Sequence, residues 1–260
     1  MGQPGPSAAA PQDCRNPARG RAPTPYGPHV LAPAPRRRTP RLAAVLALAV
    51  AVVVVLGGAR WATHAELSEH GVRTVVIGDS ITQADSRSVT GVPGEGSWLR
   101  HVVTDDRTPW RLVANVAVRG QRLDEMAARF AEDVLAREPA AVVIAGGTND
   151  ALQGVPVATS LRHLRAMVVA AQEAGAAVWV VAPLPVTGRT TPAGEPVDTT
   201  WLRAAQHVLV DVLGAVWVDA SGAVSAPGGG WRAGATDDGV HPTDRGARWL
   251  GEAVLAQVAR

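Results

Sequence analysis

The chain contains no lysine; all 25 of its basic residues are arginine. A Gly-rich phosphate loop, which needs a lysine to reach the β- and γ-phosphates, is therefore excluded. Cysteine is nearly absent too. The single thiol, Cys14, rules out an intramolecular disulfide and any multi-thiolate metal site. No cluster of histidine, cysteine and acidic residues has metal-ligand spacing, so no metal or other cofactor is expected. Phe and Tyr occur once each, beside eight Trp. The missing lysine and the wealth of Ala, Gly and Pro reflect codon bias and carry no mechanistic message.

Charge is unevenly spread. Residues 1–41 hold seven arginines and one acid, Asp13, whereas residues 42–260 hold 18 arginines and 22 acids. The basic character thus belongs to the first 41 residues, and the remainder is mildly acidic. Nothing in it predicts a nucleic-acid surface. Residues 1–41 also carry ten of the 20 prolines and almost no periodic apolar pattern. This composition predicts a disordered Pro/Arg-rich tail.

Leu42–Ala59, LAAVLALAVAVVVVLGGA, is an uncharged run of 18 residues. As a helix it extends about 27 Å, close to the ~30 Å hydrocarbon thickness of a bilayer. Arg36, Arg37, Arg38 and Arg41 precede it and Arg60 follows. The excess of arginine before the run predicts a single-pass signal anchor, with the tail in the cytoplasm and the rest of the chain outside the cell membrane. Two other readings compete. In a cleaved signal peptide, Thr63-His64-Ala65 is a poor small-x-small site and the preceding region is long. A buried core helix is at odds with the lack of a polar face. Residues 60–71 then form a linker to a domain spanning 72–260.

Within that domain short apolar runs alternate with amphipathic stretches. The runs are Thr74–Ile77, Leu112–Val118, Ala141–Ala145, Ala177–Ala182 and Val216–Val218. They are rich in valine and alternate little, as strands buried on both faces do. Between them, Leu123, Met126, Phe130 and Val134 share a helical face. So do Leu161, Leu164, Val168 and Ala171, and likewise Leu202, Ala205, Leu209 and Val212; Leu250, Val254 and Val258 close the chain. The alternation predicts a parallel sheet covered by helices on both faces.

Ligands of such sheets bind beyond the carboxyl ends of the strands. Gly78-Asp79-Ser80 follows the first run, and the second, Asn115–Val118, leads into Arg119-Gly120. Gly146-Gly147-Thr148-Asn149-Asp150 follows the third, and Asp237-Asp238-Gly239-Val240-His241-Pro242-Thr243 comes in a long loop after the fifth. These are the parts of an acyl-transfer site. The Ser80 hydroxyl needs a base to become nucleophilic, and His241 is the candidate. Asp238, three residues earlier, is placed to hold the imidazole tautomer, with Asp237 as its competitor. The backbone N–H groups of Ser80 and Gly120 and the Asn149 amide are candidate oxyanion donors. Gly120 suits that role because backbone can approach a substrate closely without a Cβ. Asp79 and Asp150 are expected to hydrogen-bond within their own turns. The other histidines (His29, His64, His70, His101, His163 and His207) have no partner at meaningful spacing. Trp98 and Trp231 flank the first and last blocks, as packing residues or as cleft lining.

With these residues in view, the chain resembles the SGNH hydrolases, or GDSL-type esterases and lipases, a family with a serine, a glycine, an asparagine and a histidine in four separated blocks. GDSIT supplies Ser80, NVAVRG Gly120, GGTND Asn149 and DGVHPT His241 with Asp238. Ile81 stands where the family often has leucine. The Asp-x-x-His spacing favours Asp238 over Asp237. The resemblance covers roughly residues 72–260. It implies a flavodoxin-like three-layer α/β/α sandwich around a five-stranded parallel sheet. It also implies a serine hydrolase that cleaves carboxylic esters through an acyl-enzyme. An outward location favours carbohydrate or lipid esters, and no long apolar lid follows residue 60, which favours short acyl groups. An acyltransferase passing its acyl group to a glycan or wall polymer is the alternative, as is a lipase, lysophospholipase or thioesterase of the same family. A non-catalytic binding module, with the tail as its interaction element, is disfavoured by the presence of all four blocks.

Overall fold

A computed structural model describes residues 66–259. The tail at 1–41, the anchor at 42–59 and the first part of the linker lie outside these residues. Among the described residues no helix is long and apolar enough to cross a membrane.

Five strands form one sheet: β1 Val72–Gly78, β2 Trp110–Asn115, β3 Ala141–Ala145, β4 Ala177–Val181 and β5 Val216–Val218. Every pairing is parallel and the order is β2-β1-β3-β4-β5. This is the flavodoxin-like arrangement, with the order reversing next to β1. The central strands pair in register, Val76 opposite Val143 and Val143 opposite Trp179. Every residue of β3 is buried. This explains its unbroken AVVIA sequence, since helices cover it on both faces.

The helices are α1 Ser80–Gln83, α2 Arg100–Val103, α3 Leu123–Ala128, α4 Phe130–Asp133, α5 Thr148–Leu152, α6 Val157–Glu173, α7 Thr200–Val212 and α8 Asp244–Val258. On one face Val76, Val143 and Val218 pack with Trp98, Leu99, Val102 and Val103 around α2 and with Leu250 and Val254 of α8. On the other, Val75, Ile77, Val142, Ile144 and Val180 pack with Leu123, Met126, Phe130, Leu164, Val168 and Val210 of α3, α4, α6 and α7. The result is the expected three-layer sandwich. Each buried Leu, Val or Phe side chain contributes about 1.5–3 kcal/mol from apolar burial.

Several local expectations change. The second strand ends at Asn115 rather than Val118. The Asn115 carboxamide oxygen accepts the Ala117 N–H at 3.2 Å, which turns the chain out of the ladder. Val116 and Val118 still donate to the carbonyls of Val76 and Gly78, so the segment continues alongside β1 towards Gly120. The helix expected through Leu123–Val134 is broken at Arg129 (φ −109°, ψ 4°), though all four of its apolar residues are buried. In α7 Val212 faces solvent at 78% exposure, and Gln206 and Val210 take the buried positions instead.

Candidate active site

The site is built at the carboxyl edge of β1. The strand stops at Gly78, and Asp79 begins α1 as its N-cap, its Oδ1 accepting the Ile81 N–H at 3.0 Å. This satisfies one of the orphan donors of a helix start and places Ser80 in the first helical position. The Asp79 cap lies within its own turn, as the sequence predicts.

His241 arrives from the loop before α8. That helix is capped by Thr243, whose hydroxyl accepts the Gly246 N–H at 3.1 Å. The loop ahead of it is tightly tied. Asp238 Oδ1 accepts the backbone N–H groups of Val240 at 2.9 Å and His241 at 2.7 Å. The Thr236 hydroxyl accepts from Gly239 N–H at 3.0 Å and donates to the His241 carbonyl at 2.7 Å. Gly239 has φ +78°, and a Cβ there would lie 2.3 Å from the Thr187 carbonyl oxygen, so the turn requires glycine.

The loop thereby aligns three side chains. Ser80 Oγ lies 2.9 Å from His241 Nε2, and His241 Nδ1 lies 2.7 Å from Asp238 Oδ2. An ionised carboxylate only accepts, so Nδ1 carries the proton and Nε2 is left to accept from the serine hydroxyl. Burial pushes the Asp238 carboxyl up, but hydrogen bonds from the His241 ring and the backbone N–H groups of His241 and Val240 outweigh it. They hold the group well below the usual carboxylate range. Asp237 makes no such contact with His241, so the geometry selects Asp238.

Asn149 sits in the first turn of α5, after β3. Its amide donates to the Gln121 carbonyl at 3.1 Å and faces Asp79 Oδ2 at 3.5 Å. Gly120 has φ +76°, and nothing lies within 4 Å of where its Cβ would stand. The positive φ is thus the local reason for this glycine, and the open space beside it is what close approach of a ligand requires. Its neighbour Arg119 donates its backbone N–H to Gln83 Oε1 at 3.0 Å and its guanidinium to the Ala84 carbonyl, which holds this loop against the serine-bearing turn.

Asp79 is 2% exposed, and burial raises its carboxyl to about 6. Asp150 departs from its expected local role. It ties elements together, Oδ2 accepting Leu123 N–H at 3.0 Å and Oδ1 accepting the Ser160 hydroxyl at 2.7 Å. Trp98 is buried at 1% exposure and donates to Thr82 Oγ1 at 3.1 Å, while Trp231 braces the histidine loop by donating to the Gly239 carbonyl at 3.0 Å.

Some supports escape the sequence reading. Thr236 carries a turn signal, a hydroxyl two residues before an Asp-Gly pair. Gln206 Nε2 donates to the Gly146 carbonyl at 3.2 Å from a fully buried position. Its signal is a lone polar residue on the apolar face of an amphipathic helix. Gln121 acts through its backbone and leaves no signal in the sequence.

A serine, a histidine and an aspartate thus lie in one hydrogen-bonded line at the carboxyl edge of an open parallel sheet, the arrangement of a hydrolase of the α/β class. The chain belongs to the GDSL-like lipase/acylhydrolase family, whose sequence model matches residues 76–249, and is an SGNH-type esterase. No curated protein sequence matches it significantly. Among solved structures it is similar to a protein of Desulfitobacterium hafniense assigned to the G-D-S-L lipolytic family, with 24% identity over 71% of this chain and 98% of the other, at a TM-score of 0.59. It is also similar to an acetylxylan esterase of Geobacillus stearothermophilus, with 21% identity over 75% and 97% of the two chains, at a TM-score of 0.61. A GDSL-like lipase of Bacteroides thetaiotaomicron shares 21% identity over 72% and 87%, at a TM-score of 0.56. At these identities the likeness is one of fold.

Proposed function

We propose that the protein hydrolyses short-acyl carboxylic esters of carbohydrates or lipids outside the cell, through an acyl-enzyme on Ser80. The observation that carries this reading is the hydrogen-bonded line from Ser80 through His241 to Asp238. His241 Nε2 takes the Ser80 proton as Oγ attacks the ester carbonyl. Asp238 holds the ring in the required tautomer and stabilises the imidazolium. The Ser80 and Gly120 N–H groups and the Asn149 amide receive the charge that develops on the carbonyl oxygen. The imidazolium then protonates the leaving alcohol, and the same base activates water to release the acid.

The short-acyl preference is supported by the sequence after residue 60, where no long apolar segment offers a lid over the site. The acetylxylan esterase relative makes an acetylated glycan a reasonable first substrate. The uncharged run Leu42–Ala59, preceded by four arginines, supports attachment to the cell membrane with the catalytic domain outside.

The test is a chain-length series of p-nitrophenyl esters on the full chain, with Ser80→Ala as control. Turnover is expected to be highest for acetyl, to fall with acyl length and to vanish in the control. Equal turnover of long-chain esters overturns the short-acyl assignment, and turnover that survives in the control overturns the mechanism.

A further inference from the structure

Asp79 takes no part in the proton relay, yet it is a buried carboxylate directly before the nucleophile. Its two oxygens have different partners. Oδ1 caps the serine helix through Ile81 N–H, and Oδ2 faces Asn149 Nδ2 at 3.5 Å. The Asn149 amide is held on its other side by the Gln121 carbonyl, 3.1 Å from the same nitrogen. The two ends of a carboxamide are nearly isosteric, so what selects the donor end is the polarity of its surroundings. A flipped Asn149 would set its own oxygen against two acceptors, one of them a carboxylate in a site of low polarity. It would also offer an acceptor, not a donor, to a developing oxyanion.

We propose that Asp79 is a positioning residue, which fixes the Asn149 amide with its N–H group towards the oxyanion. The proposal rests on Asn149 being an oxyanion donor. An aspartate can accept on both oxygens. An asparagine at this position can accept from Ile81 N–H or from Asn149, but not from both. The contact is long at 3.5 Å, so the N–H that faces Asp79 is free to turn to the oxyanion while the Gln121 carbonyl holds the other.

The charged groups that face Asp79 are His241, which favours its ionised form, and Asp150, which opposes it; burial outweighs both and raises the carboxyl to about 6. Asp79 therefore gains a proton as the pH falls through about 6 and then no longer presents a charge to Asn149.

The test is kcat and KM with p-nitrophenyl acetate for the full-length wild type, Asp79→Asn, Asn149→Ala and the double variant, from about pH 4.5 to 9. Asp79→Asn is expected to lower kcat about tenfold or more with little change in KM, somewhat less than outright loss of an oxyanion donor. In the Asn149→Ala background it should cost almost nothing, because the group it positions is gone. Asp79→Asn should remove one protonation step from the acid limb of kcat, the one near pH 6. An equal cost in both backgrounds, or an acid limb that Asp79→Asn leaves unchanged, overturns the proposal. If Asp79→Asn does not fold, Asp79→Ser, which can still cap the helix but has no second oxygen for Asn149, makes the same comparison in both backgrounds. A wild type whose Ser80 resists fluorophosphonate labelling would instead overturn the hydrolase reading beneath it.

Discussion

Replacing Asp79 by asparagine should make the protein more stable near pH 8 while making it a poorer esterase. Burial raises the Asp79 carboxyl from 3.8 to about 6, so the native state binds this proton more tightly than the unfolded chain does. The favourable contribution to stability is complete below about pH 3.8 and is lost as the pH rises through about 6. Keeping the carboxylate ionised at pH 8 therefore costs the fold about 3 kcal/mol. The neutral amide avoids that cost but gives up one accepted hydrogen bond, worth about 1.5–3 kcal/mol to a charged acceptor. The net gain at pH 8 is then about 1 kcal/mol, or roughly 2–4 °C in Tm for a domain of this size. As the pH falls towards 4 the gain should shrink towards zero, because the wild-type carboxyl becomes neutral like the amide. Urea unfolding of both proteins at a series of pH values measures the difference directly. A difference that stays flat from about pH 4 to 8 would refute the reasoning, since only a titrating Asp79 makes it vary.

Asp238→Asn should leave the fold intact and lower kcat by about 10⁴, because an amide no longer fixes the proton on His241 Nδ1; steady-state kinetics beside a circular dichroism spectrum checks both halves. Gly239→Ala places a Cβ 2.3 Å from the Thr187 carbonyl oxygen at φ +78°. It should destabilise the protein by about 1–3 kcal/mol and displace the histidine loop, seen as a lower urea midpoint and a lower kcat. Thr236→Val removes both hydrogen bonds that tie Gly239 and His241 together, and should slow turnover more than it lowers Tm.

The sheet was legible because β3 is buried throughout and β4 over most of its length, and both are written as unbroken apolar runs. The four site blocks were legible because each lies where a strand ends or a loop enters a helix. What escaped the sequence depends on tertiary contact. The end of β2 is set by the Asn115 side chain bonding two residues ahead, and the break at Arg129 cannot be seen in an apolar spacing that its helix pair preserves. Val212 looks like a core residue by period, yet it lies on the solvent side of α7, because Gln206 turns inward to reach the Gly146 carbonyl. Asp150 looked like a turn residue, but its partners Leu123 and Ser160 lie 27 and ten positions away. The contact of Asp79 with Asn149 joins two turns 70 residues apart, which no local pattern encodes.

The central claim is that Ser80 is the nucleophile, activated by His241. Mass mapping of the full-length protein after reaction with a fluorophosphonate tests it most directly. One adduct is expected, on the peptide carrying Ser80, formed rapidly in the wild type and lost in Ser80→Ala and in His241→Ala. A folded wild-type protein with no adduct on Ser80, or an adduct that forms as fast without His241, would contradict it.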